Sequence, residues 1–197
     1  MSKLTDKQAL IAPSDLDLIH VIDVSDTTGS SEGTSKKMAL SLTRGTGWAS
    51  YADDQYIEAS PFTINSGVTS SLPNNSAVTI ESFLPPLVSG LYDGAKITPE
   101  SGGSYYSFTV RFCAKSSSVS GSFDFSIDIG GTVGQIFNET KVFSKGANAE
   151  QAFSIVAPGF IGETFLANGG TIKIKSLVGN TSIYDISLQI ARIHKAG

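Results

Sequence analysis

The sequence predicts an all-β protein: an N-terminal extended arm or hairpin followed by a β-sandwich or barrel. Three observations carry this. Short runs alternate apolar and polar residues at period two. Turn signals such as Pro73-Asn74-Asn75, Glu100-Ser101-Gly102-Gly103, Gly130-Gly131, Asn168-Gly169-Gly170 and Gly179-Asn180 separate the runs. Past Gly47 no helix-period pattern exceeds two turns.

The first residues differ from the rest. Thr5-Asp6-Lys7-Gln8 fits a capping box for a brief helix that Pro13 stops. In the next run Leu16, Leu18, Ile22 and Val24 share one face with His20, while Ile19 and Val21 make the other face partly apolar. After a loop of Ser, Thr, Gly and acid, Met38, Leu40 and Leu42 repeat the alternation. An isolated hairpin is marginal in water. Two half-exposed apolar faces therefore want a partner surface, and Gly45-Thr46-Gly47 reads as a hinge. The expected division is residues 1–45 as a docking arm and residues 46–197 as the globular body.

Within the body, Tyr106, Phe108, Val110, Phe112 and Ala114 fall on one side of the run from Tyr105 to Lys115. Phe123, Phe125, Ile127 and Ile129 oppose Ser122, Asp124, Ser126 and Asp128. Ile172 and Ile174 alternate with Lys173 and Lys175, and Tyr184, Ile186, Leu188 and Ile190 with Asp185, Ser187 and Gln189. Weaker strand candidates are Gln55–Ile64, Ser76–Phe83, Gln135–Phe143 and Glu150–Val156. Burying each Phe or Ile stabilises by roughly 1.5–3 kcal/mol, so one sandwich core needs neither metal nor disulfide.

Composition narrows the function classes. Of 197 residues only 16% are charged, and 29 Ser with 16 Thr supply the polar surface. The net charge of −4 leaves no basic footprint for nucleic acid. One cysteine, Cys113, excludes an intramolecular disulfide framework. No apolar run approaches the roughly 18 residues of a membrane span, and the sequence beginning MSKLTDKQALIAP has no signal-peptide core.

No catalytic, cofactor-binding or metal-binding residue is expected. Gly29-Ser30-Ser31-Glu32-Gly33 matches G-x-S-x-G in letters, yet it lies in a Ser-rich loop leading to a strand, where a nucleophile elbow needs a helix. Asp23, Asp26 and Glu32 fit no calcium-loop spacing. Asp124 and Asp128 lie about 13 Å apart along an extended strand, too far for paired acid–base work, and read as solvent-facing charges that discourage edge pairing. Cys113, beside Arg111 and Lys115, reads as an inert filler, and His194 as a residue at a sandwich edge. Tyr51, Tyr92 and Tyr105 are candidate glycan contacts, provided that their rings are exposed.

Two stretches carry a resemblance. Asp15 to Asp26 followed by Glu32-Gly33-Thr34-Ser35-Lys36-Lys37 resembles the N-terminal module of bacteriophage fibre and appendage proteins, which anchors a trimer to the virion. Ile97-Thr98-Pro99-Glu100 leading to Tyr105-Tyr106, the Phe123–Ile129 strand and the Tyr184–Ile190 strand resemble jelly-roll heads of the tumour-necrosis-factor/C1q kind. The resemblance implies a non-enzymatic homotrimer located in the virion and assembled in the bacterial host cytoplasm. It implies a short head fibre, spike or capsid-decoration protein, docked to capsid, portal or tail through Leu16, Leu18, Ile19, His20, Val21, Ile22, Val24, Met38, Leu40 and Leu42. The head would then decorate the shell or adhere to a host-surface glycan. The alternatives are a tail-fibre receptor-binding protein and a free carbohydrate-binding lectin. A depolymerase is disfavoured, since no carboxylates pair at catalytic spacing.

Overall fold

Strand periodicity in the sequence becomes sheet pairing in the computed structural model, which describes residues 18–23, 25, 28, 34–39, 45–85 and 88–195. Contacts divide the chain into two units, 1–44 and 45–197.

In the first unit, β1 (Leu18–Asp23) and β2 (Thr34–Ala39) form a two-stranded antiparallel sheet. The register sets Leu18 opposite Ala39, Ile19 opposite Met38, and Ile22 opposite Ser35. Two strands of six residues make a small ladder, the size at which isolated hairpins are marginal. The Thr5–Gln8 capping box, the Gly29–Gly33 motif and residues Leu16, Val24, Asp26, Glu32, Leu40 and Leu42 lie outside the described residues.

The second unit is a sandwich of two antiparallel sheets, the architecture the alternation predicts. Its strands are β3 (Gly47–Ala52), β4 (Phe62–Ile64), β5 (Thr69–Ser71), β6 (Val78–Ile80), β7 (Tyr105–Ser116), β8 (Ser122–Asp128), β9 (Gln135–Val142), β10 (Gln151–Phe160), β11 (Thr171–Val178) and β12 (Thr181–His194). One six-residue helix, α1 (Glu163–Asn168), bridges β10 and β11. The larger sheet runs β10-β7-β12-β3-β6, with β4 also paired to β12. The smaller runs β5-β11-β8-β9.

The inner faces meet in a core rich in aromatic rings. Phe112, Phe123, Phe143 and Phe153 interlock mostly edge to face, with Phe123 and Phe153 centroids 4.9 Å apart. Phe108 packs between Tyr106 and Phe165. Aromatic pairs in these arrangements add about 0.5–1.5 kcal/mol beyond area burial.

Five details differ from the sequence reading. Gly47 is the first residue of β3 and no free hinge: a Cβ there would stand 2.5 Å from the Phe83 carbonyl oxygen and 2.8 Å from Pro85 Cδ. The Gln55–Ile64 and Ser76–Phe83 candidates shrink to strands of three residues, the first because the 53–60 loop folds on its own Asp53 carboxylate, which accepts from the Gln55 and Tyr56 amides. Asp124 and Asp128 stand on β8, which is paired on both sides, so they guard no edge. His194 is exposed at the end of β12, a strand inside the larger sheet. The fifth is a bulge in β12 at Asp185, where φ is 53°. It switches side-chain parity: Ile183 pairs with buried Ala114, while Ile186, Leu188 and Ile190 also face the core. Tyr184 therefore falls on the opposite face from Ile186. The bulge leaves the Asp185 amide free to donate to the Tyr56 carbonyl, and Lys115 pairs with Glu58 of that loop.

Gly47→Ala is expected to keep the fold and cost about 1–3 kcal/mol, since a strand-edge backbone must move. Urea denaturation measures this, and an unchanged midpoint would mean that the β3–Phe83 approach is looser than described.

Candidate interaction surfaces

The larger sheet buries one face in the core and turns the other outward. The register places its outward side chains in rows. One row is Trp48, Ala191, Ser107 and Pro158. The next is Ile80, Ser50, Gln189, Thr109 and Val156. A third is Val78, Ala52, Ser187, Arg111 and Ser154. Arg111 is the sole charge in these three rows. Along the end of this face lie exposed Tyr105, Phe160 and Ile193, with Tyr105 directly opposite Phe160. The Trp48 ring stacks on Phe83 at 4.6 Å.

The outward face of the smaller sheet has the opposite chemistry. Thr140 donates to Asp124, Lys173 to Asp128 at 2.6 Å, and Gln135 to Ser126. Lys175, Asn138, Thr69 and Ser71 complete a charged, hydroxyl-rich surface. Water satisfies such a face. The three rows around Thr109, with one charge among them, have less to offer water and are the stronger candidate for burial against protein, since the buried centres of interfaces are depleted in charge.

At the base of the body, β12 presents a residue that the alternation did not single out. Arg192 is 3% exposed. Its Nε donates to the Gly45 carbonyl at 2.8 Å and its Nη1 to Glu100. Burial pulls the guanidinium below the ordinary arginine value. The pair ties the first residue of the body to the 97–104 turn.

The candidate glycan rings fall in different environments. Tyr51 is 1% exposed and donates its hydroxyl to Glu81, and Tyr92 is 6% exposed with its phenol pushed up to about 12 by burial. Their rings pack against each other, centroids 5.5 Å apart, so neither is an accessible sugar platform; that expectation is corrected for both. Tyr105 is 39% exposed, yet its neighbours are Phe160 and the end of β12, on the outward face of the larger sheet. Cys113 is partly buried. Burial, with Glu150 next, raises its thiol, which leaves it a poor nucleophile. Of the docking residues, Leu18, Ile19, His20, Val21 and Ile22 lie on β1 and Met38 on β2.

A polar cleft of about 430 Å³ opens beside the β8–β9 turn, lined by Lys96, Asp128, Asn168, Thr171 and Lys173 among others. Lys173 and the Gly130 amide hold the Asp128 carboxyl below the usual carboxylate range. Among the described residues, no group of three or more His, Cys, Asp or Glu is arranged to hold a metal ion.

With the sheet order and register in place, the body can be compared with known folds. The chain is similar to the solved structure of Eiger TNF from S. frugiperda at 11% identity, over 78% of this chain and 96% of that one, with a TM-score of 0.50. The fold is a jelly-roll sandwich. Lower-scoring likenesses join it to PRD1 vertex protein P5 (16% identity, 76% of this chain and 97% of that one, TM-score 0.45) and to a chain of the T13 IBDV viral particle (14% identity, 91% and 36%, TM-score 0.40). No protein-family model matches the chain, and no curated protein matches it in sequence.

The buried and paired charges give two expected outcomes. Arg192→Ala should cost about 3 kcal/mol, because it removes both a buried ion pair and the packed stem of the side chain; a loss below about 1 kcal/mol in urea would show that the pair is solvated. Asp128, whose folded pKa is depressed, contributes stability that is complete above the unfolded carboxylate value and lost as pH falls through the folded one. Thermal melts of Asp128→Asn from about pH 6 to about pH 3 should therefore show a shallower acid limb than the parent, and parallel limbs would contradict the assignment.

Proposed function

We propose that this protein is a virion structural protein of a bacteriophage: a short homotrimeric spike, head fibre or decoration protein whose N-terminal arm docks to the particle and whose jelly-roll head is displayed. The role is structural and adhesive, with no chemistry at a reacting centre.

The observation that carries the reading is the pairing of unlike parts. A jelly-roll unit with its own aromatic core accompanies a two-stranded unit of twelve ladder residues, six on each strand. A unit that small gains order by adding strands or apolar side chains to a partner surface, and Thr34 to Lys37 of the stretch that resembles phage anchoring modules fall on β2. The trimer is supported by the nearly uncharged outward face of the larger sheet, which a head of this kind would bury between copies. Three arms on one head raise the effective concentration of each at the shell, so modest contacts per arm hold the assembly. Attachment to the capsid is favoured over a long tail fibre because only residues 40–44 separate β2 from the body, too short a stretch for a fibrous shaft.

Removal of residues 1–44 is expected to leave a folded head that no longer joins particles. Quantitative immunoblotting of purified virions reads this directly, and incorporation of the truncated head at normal copy number would overturn the docking role. Labelled antibody on intact particles then separates capsid from tail.

A further inference from the structure

The cleft beside the β8–β9 turn is built from four separate stretches of chain: Lys96, the 128–131 turn, the end of α1, and the start of β11. Gly130 and Gly131 have φ of 67° and 60°, and side chains there would stand 3.8 Å and 3.7 Å from the Asn168 amide nitrogen, narrowing the space beside it. Its volume, about 430 Å³, lies in the range of small-molecule sites and suits one or two sugar rings.

The lining sets the chemistry. Lys96 and Lys173 carry two positive charges and Asp128 one negative, a balance of +1. Lys173 is engaged with Asp128 at 2.6 Å. Lys96 makes only a long contact, 3.4 Å, to the Asn168 carbonyl oxygen, so most of its donor capacity is unspent. Asn168 uses its amide nitrogen on the Ile129 carbonyl, which leaves its side-chain oxygen as an acceptor. Asp128 and Asn168 can accept from hydroxyls, and Thr171 can both donate and accept. Ile129 and Ala167 add a small apolar patch for the C–H face of a ring. A doubly charged phosphate would meet the Asp128 carboxylate, whereas a polyol with a single carboxylate matches both the charge balance and the mixed donor–acceptor set.

We propose that this cleft binds an acidic sugar of the hexuronate class, its carboxylate on Lys96 and its hydroxyls on Asp128, Asn168 and Thr171. This names a ligand for the adhesive part of the proposed function and rests on that reading for its biological meaning. Docking and assembly do not depend on it.

Titration calorimetry of the full chain with glucuronate, glucose and inorganic phosphate tests the proposal, with saturation-transfer NMR as a second readout. Glucuronate should bind saturably, with glucose at least about tenfold weaker, the loss expected when a charged hydrogen bond is missing, and phosphate also weaker, because its second charge meets Asp128. Lys96→Gln, at an exposed position, should lose about tenfold in glucuronate affinity, and Thr171→Val should lose less. Lys145→Gln, outside the cleft, should leave binding unchanged. No saturable binding of glucuronate, binding indifferent to Lys96→Gln in a variant with parental melting, or preference for phosphate or glucose would each overturn it. None of those outcomes touches particle incorporation, so failure here is distinguishable from failure of the structural role.

Discussion

The larger sheet has two faces and only one core to bury. Its inner face meets the smaller sheet through Phe108, Val110, Phe112, Ile186, Leu188 and Ile190, all essentially inaccessible. Its outer face repeats Ser, Thr, Ala and Gln across β3, β12 and β7, with Val156, Ile80 and Val78 at the flanks and Tyr105, Phe160 and Ile193 at one end. A monomer that kept these rows in water would display apolar groups with Arg111 as the one charge among them. The charged face of the smaller sheet shows what this chain does where it intends to meet solvent. The contrast between the two faces within one sandwich motivates the oligomer.

The same logic applies to the first unit, on a smaller scale. A two-stranded ladder cannot bury enough to offset the entropy of ordering its backbone, while the body has a full core. In the proposed role, coupling a weak docking element to a robust head lets each be tuned separately. On that proposal, modest affinity per arm becomes firm attachment only when several arms act together, which would link oligomerisation of the head to retention on a particle.

Long strands with clean alternation were legible because one face of each meets the core and the other does not. The Phe123–Ile129 run and the Tyr105–Lys115 run fall on β8 and β7 nearly residue for residue. Strands of three residues, β5 among them, carry too few alternations to register. The Asp185 bulge was invisible since one extra residue reverses parity without changing composition. That is why Tyr184 read as a core neighbour of Ile186 when it lies on the other face, donating to Glu150. Tyr51 read as a candidate contact, yet its parity on β3 turns it inward beside Leu188. Arg192 and the cleft had no linear signature. The guanidinium owes its meaning to Glu100 and Gly45, both remote in sequence, and the cleft gathers residues from 96 to 173.

The proposed oligomer buries the rows around Thr109, on the outward face of the larger sheet, between copies of the head. Light scattering of the full chain and of a Thr109→Glu/Gln189→Glu variant, which sets two carboxylates in one row of that face, tests it most directly. The parent should have three times the mass of the 20.6 kDa chain, and the folded variant one chain mass. A parent that stays monomeric at every concentration, or a variant that assembles as the parent does, would contradict it.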